Sequence, residues 1–144
     1  MKRGAWWPIG ITTVEHTLDA TGVMSGGSHF DMTALDFARF GYLYLRGGQW
    51  DGQQIVPEAW VDYARMPLVE TPDYGAHWWV PATADQYIDR FPTMFAARGF
   101  GGQRMYIIPE LDAVLLVLSN NAPDLADETM AGLIEAFAGV AEPA

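Results

Sequence analysis

The chain has 144 residues, enough for one ordinary domain around one core. Half of the residues are hydrophobic and six are tryptophan, which excludes a disordered chain. The formal charge of -10 argues against nucleic acid, which needs a basic footprint, and against an anionic membrane surface.

The elements follow in chain order. Residues 5–28 are rich in Gly, Thr and aromatics without a clean period, and predict an ordered loop with short strands. Residues 31–46 predict the best helix. Thr33 and Asp36 resemble a capping box with Asp in place of Glu. Leu35, Ala38, Tyr42 and Leu45 recur at helical steps and predict its apolar stripe. Gly47 and Gly48 end it, and Trp50-Asp51-Gly52-Gln53 reads as a turn. Pro57 opens a second helix that runs to about residue 66, and Pro67 stops it. Residues 68–75 read as loop, 77–80 as a strand, and 81–93 as a flap or connector between prolines.

The most informative stretch is 95–120, FAARGFGGQRMYIIPELDAVLLVLSN. A short strand ends in the hinge Gly99-Phe100-Gly101-Gly102-Gln103. A strand over 104–108 follows, then a Pro-Glu-Leu-Asp turn, then a strand over 113–118. That spacing suits an antiparallel hairpin. A last helix over 123–140 is expected to bury Leu125, Met130, Leu133, Ile134 and Phe137. Helices first, then a strand meander, then a closing helix make the fold α+β and not a parallel βαβ sheet. The helix-rich part is 1–75, bordering a cleft. The antiparallel strands and the closing helix occupy 76–144.

Several absences bear on chemistry. Without cysteine there is no disulfide, thiol nucleophile or Cys-based zinc site, and no compartment is favoured. Residues 1–10 carry two basic residues but no long apolar core, so no secretory signal is expected, and a complete chain would be cytoplasmic. No apolar run approaches the roughly 20 residues that span a bilayer. All eight Lys and Arg lie at or before Arg104, which leaves a purely acidic end around the last helix.

Three segments carry a resemblance. GGSHFDMTALDFARFGYLYLRGGQWDGQQIVPEAWV is similar to a G-G-x-x-x-T-A-x-D-L-A-R-F-G helix followed by a W-D-G turn and a P-x-x-W-V helix. YGAHWWV is similar to a Y-G-x-x-W-W strand. ARGFGGQRMYIIPELDAVLLVLSN is similar to a glycine-rich strand with a P-x-x-D turn and a V-V-L-S-N end. All three belong to the serine β-lactamase-like hydrolases: class C β-lactamases, penicillin-binding DD-peptidases, related esterases and 6-aminohexanoate-dimer hydrolase. In order and spacing the chain resembles the C-terminal portion of that fold, over nearly all of its length.

The resemblance implies a serine hydrolase, but the residue inventory lacks its chemistry. The family activates its serine with the lysine of Ser-x-x-Lys and the tyrosine of Tyr-x-Asn, because a serine hydroxyl is a weak nucleophile until a base takes its proton. Ser25, Ser28 and Ser119 are the only serines here, none has lysine three residues on, and no Tyr-x-Asn occurs. The expectation is a truncated or split member, inactive alone, whose partner is an N-terminal half or another copy. Ala97-Arg98-Gly99 stands where the family has Lys-Thr-Gly or His-Thr-Gly, which points away from β-lactamase activity and towards an esterase or amide hydrolase.

By resemblance, the backbone N–H of Phe100 is an oxyanion-hole donor, worth about 2.7–4 kcal/mol when aimed correctly. Gly99, Gly101 and Gly102 then allow backbone to approach a substrate; alternatively they form a plain hairpin corner. His29 either bonds a substrate carbonyl or carboxylate, or is a loop histidine satisfied by backbone. Gln103 either bonds substrate or closes the hairpin. Arg98 either meets a substrate carboxylate or pairs with Asp89 or Glu110. The Trp6–Trp7 and Trp78–Trp79 pairs line an acyl pocket or pack the core. No cofactor and no metal are expected, since His16 and His77 have no ligand spacing with His29. The substrate is a small ester or amide. The other readings are a non-catalytic remnant that binds a ligand or a partner, and an unrelated acidic α+β module.

Overall fold

The computed structural model describes residues 8–12, 14–24, 30–81 and 87–141. Strand β1 (Glu15–His16) pairs antiparallel with β2 (Phe30–Asp31). Helix α1 covers Ala34–Leu45. Thr33 caps it: its hydroxyl accepts the Asp36 amide at 3.2 Å, which satisfies one of the unpaired first-turn donors. At the other end the Gly48 amide donates to the Leu43 carbonyl at 2.8 Å. Gly48 has a φ of 83°, and a Cβ there would lie 2.1 Å from the Val56 carbonyl oxygen, so only glycine fits this stop.

Strands β3 (Gln49–Trp50) and β4 (Gln53–Gln54) form a two-residue hairpin. Its corner, Asp51 and Gly52, has positive φ at both positions, as a primed turn requires. Helix α2 (Glu58–Ala64) follows with Pro57 at its cap. Strands β5 (Phe95–Gly99), β6 (Gln103–Ile108) and β7 (Ala113–Val117) make one antiparallel sheet in the order β5-β6-β7. A 3-10 turn over Phe100–Gly102 joins the first two strands, and one over Pro109–Leu111 joins the last two. Helix α3 (Pro123–Ala141) closes the chain.

Alternation along the strands divides the core between the two faces of the sheet. Phe95, Met105 and Ile107 face α1 and pack with Trp78, Phe40 and Tyr44. Ile108, Ala113 and Leu115 face α3 and pack with Met130, Ile134 and Ala138. Ile9, Ile11 and Leu43 form a smaller third cluster. The architecture is therefore a mixed helix and antiparallel sheet fold, α+β, with helices on both sides of the sheet.

Three local expectations are corrected. The buried side of α1 runs through Asp36, Gly41 and Leu43, while Leu35 and Tyr42 are exposed. The cause is close packing on the sheet: a Cβ at Gly41 would lie 2.8 Å from Val114 and 2.9 Å from the Met105 sulfur. Helix α3 buries Ala126, Met130, Ile134 and Ala138, and leaves Leu125 and Phe137 exposed, because small residues let it lie close to β7. Residues 77–80 form no continuous strand. His77 has a φ of 74°, and only Trp79 bridges, to Tyr74 and to Ala96 of β5.

Candidate functional site

The hinge is built where β5 and β6 meet, with Gly99 opposite Gln103 in the register. Its tip is Phe100, which is 95% exposed. Gly101 has a φ of 71° and Gly102 of 94°. Gly102 is buried. A Cβ there would sit 2.9 Å from Pro123 Cα and 3.0 Å from Ser119 Cβ. This glycine therefore lets the hinge close on the loop that leads into α3. Gly101 passes Asn121 in the same loop, where a Cβ would lie 3.5 Å from its Cα. A Cβ at Gly99 would be 3.1 Å from that of Gln103.

Gln103 is held by Ser119. Its side-chain amide donates to the Ser119 carbonyl at 2.6 Å and accepts the Ser119 amide at 3.2 Å. Both polar ends of the carboxamide are thus occupied within the fold. The Ser119 hydroxyl accepts the Ala122 amide at 3.0 Å and bonds the Ala122 carbonyl at 3.2 Å, so this serine caps a turn.

Arg104 is the residue that sequence reasoning missed. It is buried, and its guanidinium takes both carboxylate oxygens of Asp127 on α3, at 2.6 and 3.0 Å. The same group donates to the carbonyls of Gly99 and Gln103, at 3.2 and 3.1 Å. One cation thus ties both feet of the hinge to α3. The hydrogen bonds from Arg104 hold the Asp127 carboxyl below the ordinary carboxylate range, and those to Asp127 push the Arg104 guanidinium up. A signal existed, since an arginine in the inward phase of the strand QRMYII needs an acid. Which of the later acids would answer it was not legible.

Arg98 pairs with neither Asp89 nor Glu110. Its contact is Asp127, at 3.6 Å, and its guanidinium lies 5.8 Å from the Trp79 ring centre. Glu110 accepts from the Thr93 amide and hydroxyl instead. Trp79 and Arg98 border a cleft of about 180 Å³ that reaches Tyr106 and Met94. Trp78 belongs to the core, 4.8 Å from Tyr44 and 5.0 Å from Phe95 between ring centres. His29, Ser25, Ser28, Trp6 and Trp7 lie outside the described residues. The hinge residues and Gln103 therefore come together at one end of the sheet, and Arg98 stands beside them on β5. Among the described residues no three His, Cys, Asp or Glu gather to hold a metal ion. No helix of the described residues is long and apolar enough to cross a membrane.

No family model matches the chain, and no curated protein does. Solved structures do. A protein described as "Putative 6-aminohexanoate-dimer hydrolase from Bacillus anthracis" superposes with a TM-score of 0.67 at 26% identity, over 87% of this chain and 33% of that one. A second, described as a "putative beta-lactamase from Bacteroides dorei DSM 17855", gives a TM-score of 0.55 at 16% identity, over 88% of this chain and 48% of that one. The chain thus spans between a third and a half of the neighbours' lengths. It carries part of the β-lactamase-like fold, consistent with a C-terminal fragment of it.

Proposed function

We propose that the chain is the C-terminal part of a serine hydrolase that acts on a carboxylic ester or small amide. The acyl group passes to a serine, and then to water. The observation that carries this reading is the 26% identical hydrolase neighbour, whose match extends over 87% of the chain. The hinge geometry fits the role. Phe100 projects from the tip of a turn whose two feet, Gly99 and Gln103, are bonded through their carbonyls to Arg104, which braces the backbone that carries its N–H. A preorganised donor stabilises a tetrahedral oxyanion because it needs no reorganisation as charge develops. The serine and its base come from a Ser-x-x-Lys and a Tyr-x-Asn that this sequence lacks. Ser119, used as a turn cap, does not replace them.

One feature favours a second reading. Gln103 and Gly102 are both engaged within the fold, as they would be in a non-catalytic remnant that binds a ligand or partner. The discriminating experiment mixes the chain with a polypeptide carrying the upstream Ser-x-x-Lys and Tyr-x-Asn half, then adds a fluorophosphonate serine probe. The hydrolase reading expects labelling of the upstream serine and turnover of p-nitrophenyl esters by the mixture alone. The isolated chain should stay at the buffer blank. A mixture that neither labels nor turns over favours the remnant.

A further inference from the structure

The hairpin of β3 and β4 turns on Asp51 and Gly52, the one Asp-Gly step in the sequence. Both residues are exposed. A residue that follows an aspartate shields its own amide nitrogen with its side chain, but glycine has none. A Cβ built at Gly52 would meet nothing within 4 Å, so no neighbour crowds the position either. No hydrogen bond or ion pair among the described residues engages the Asp51 carboxylate or the Gly52 amide.

Two other exposed turn aspartates are restrained where Asp51 is not. Asp112 has nearly the same left-handed backbone, with a φ of 49° against 47° at Asp51. Its carboxylate is gripped by Arg46 at 2.8 and 2.9 Å, and the next residue, Ala113, starts β7. Asp19 turns its carboxylate onto the amides of Thr21 and Val23, at 2.8 and 2.9 Å, and onto the Thr21 hydroxyl at 2.7 Å. Only at Asp51 are a free carboxylate and an open glycine nitrogen adjacent. Bringing them together rotates the Asp51 backbone out of the turn, and the ladder that resists this has two residue pairs.

We propose that Asp51 is a site of covalent modification, a spontaneous backbone isomerisation of the folded chain. The Gly52 nitrogen attacks the side-chain carboxyl carbon of Asp51. The amide hydrogen and the carboxyl hydroxyl leave as one water, which closes a succinimide ring across the two residues. Water then adds back. Addition at the side-chain carbonyl breaks the new bond and restores aspartate. Addition at the main-chain carbonyl breaks the original peptide bond, and the chain then runs through the Asp51 side chain as isoaspartate. One water leaves and one returns, and no electrons are exchanged. The corner gains a methylene in its backbone, which a two-residue turn does not absorb in register. The β3–β4 pairing then opens, and Trp50 leaves its edge contact with Tyr42, now 5.7 Å between ring centres. The inference needs no serine, and it stands whether or not the chain takes part in hydrolysis.

The test ages the full chain for weeks at neutral pH and body temperature, then maps its tryptic peptides by liquid chromatography and mass spectrometry. Asp51 lies in the peptide 47–65. That peptide should divide with time into two forms of equal mass, with a minor form lighter by one water. Electron-transfer fragmentation should place the change at Asp51 and not at Asp62. Peptides 4–39 and 105–144, which hold Asp19 and Asp112, should each remain one species. Asp51→Glu should abolish the second form, because the longer side chain closes a ring poorly. A synthetic 47–65 peptide supplies the unrestrained rate. The folded chain should isomerise within about tenfold of it, since an exposed corner opens at little cost. The proposal is overturned if the folded chain lags the peptide by more than that, if Asp112 isomerises as fast as Asp51, or if the Asp51→Glu chain forms the second species equally.

Discussion

The carboxamide of Gln103 and the backbone of Ser119 make a two-way pair, 2.6 Å in one direction and 3.2 Å in the other. It extends the β6–β7 ladder beyond Arg104 and Val117, where the backbone register ends. The loop into α3 is thereby fixed against the sheet, and the hinge closes on that loop through Gly102.

Gln103→Glu tests this bracing. A carboxylate keeps the acceptor for the Ser119 amide but cannot donate to its carbonyl, and it brings lone pairs against an oxygen. The expected loss is about 1–3 kcal/mol of unfolding free energy in a urea titration, with an unchanged slope. If Gln103 serves a substrate and not the fold, stability will stay at the parent value.

Asp127 gives the fold a pH dependence. Its folded carboxyl titrates below the ordinary value of 3.8, chiefly because Arg104 donates to it. A carboxylate depressed by folding contributes stability that is fully present above its unfolded value. That stability is lost as pH falls through the lower, folded one. Asp127→Asn should therefore cost about 1–2 kcal/mol at neutral pH, a figure kept small because Asp127 is 43% exposed. The gap between variant and parent should close below about pH 4. A gap that is constant from pH 7 to pH 3 would remove the ion pair as its cause.

The outer edge of β7 bonds to no other strand among the described residues. Its sequence, AVLLV, is apolar, and an open apolar edge invites a further strand. The chain is expected to form a dimer or larger assembly, or to hold a partner, when purified. Light scattering that gives a monomer at high concentration, with cooperative unfolding, would contradict this.

What was legible in the sequence was local chemistry. Thr33 as a cap, the Gly47–Gly48 stop, the Asp51–Gly52 corner and the meander around residues 109–112 each depend on neighbours a few residues apart. The structure follows them closely. What was not legible depends on pairs remote in sequence. The face of α1 was misphased because Gly41, which carries no hydrophobic signal, makes the closest approach to Met105 and Val114. The face of α3 was misread for the same reason, with Ala126 and Ala138 in place of larger residues. The strand expected at 77–80 reduces to one bridge, because His77 takes a left-handed conformation. The Arg104–Asp127 clamp joins residues 23 apart, and no short pattern announces it. The bond that holds the Gln103 side chain, to the backbone of Ser119, joins residues 16 apart, so the sequence leaves Gln103 open between substrate and hairpin.

The proposed site rests on the direction of one backbone N–H, so its most direct test changes that group and little else. In the enzyme completed by its serine-bearing half, Phe100→Ala should retain most of kcat, because the exposed ring takes no part in donating the bond. Phe100→Pro removes the N–H and should lower kcat by about 10²–10³. Circular dichroism and urea unfolding must show both variants folded. A folded Phe100→Pro enzyme with near-parental kcat would contradict the account and leave the hinge as a hairpin corner.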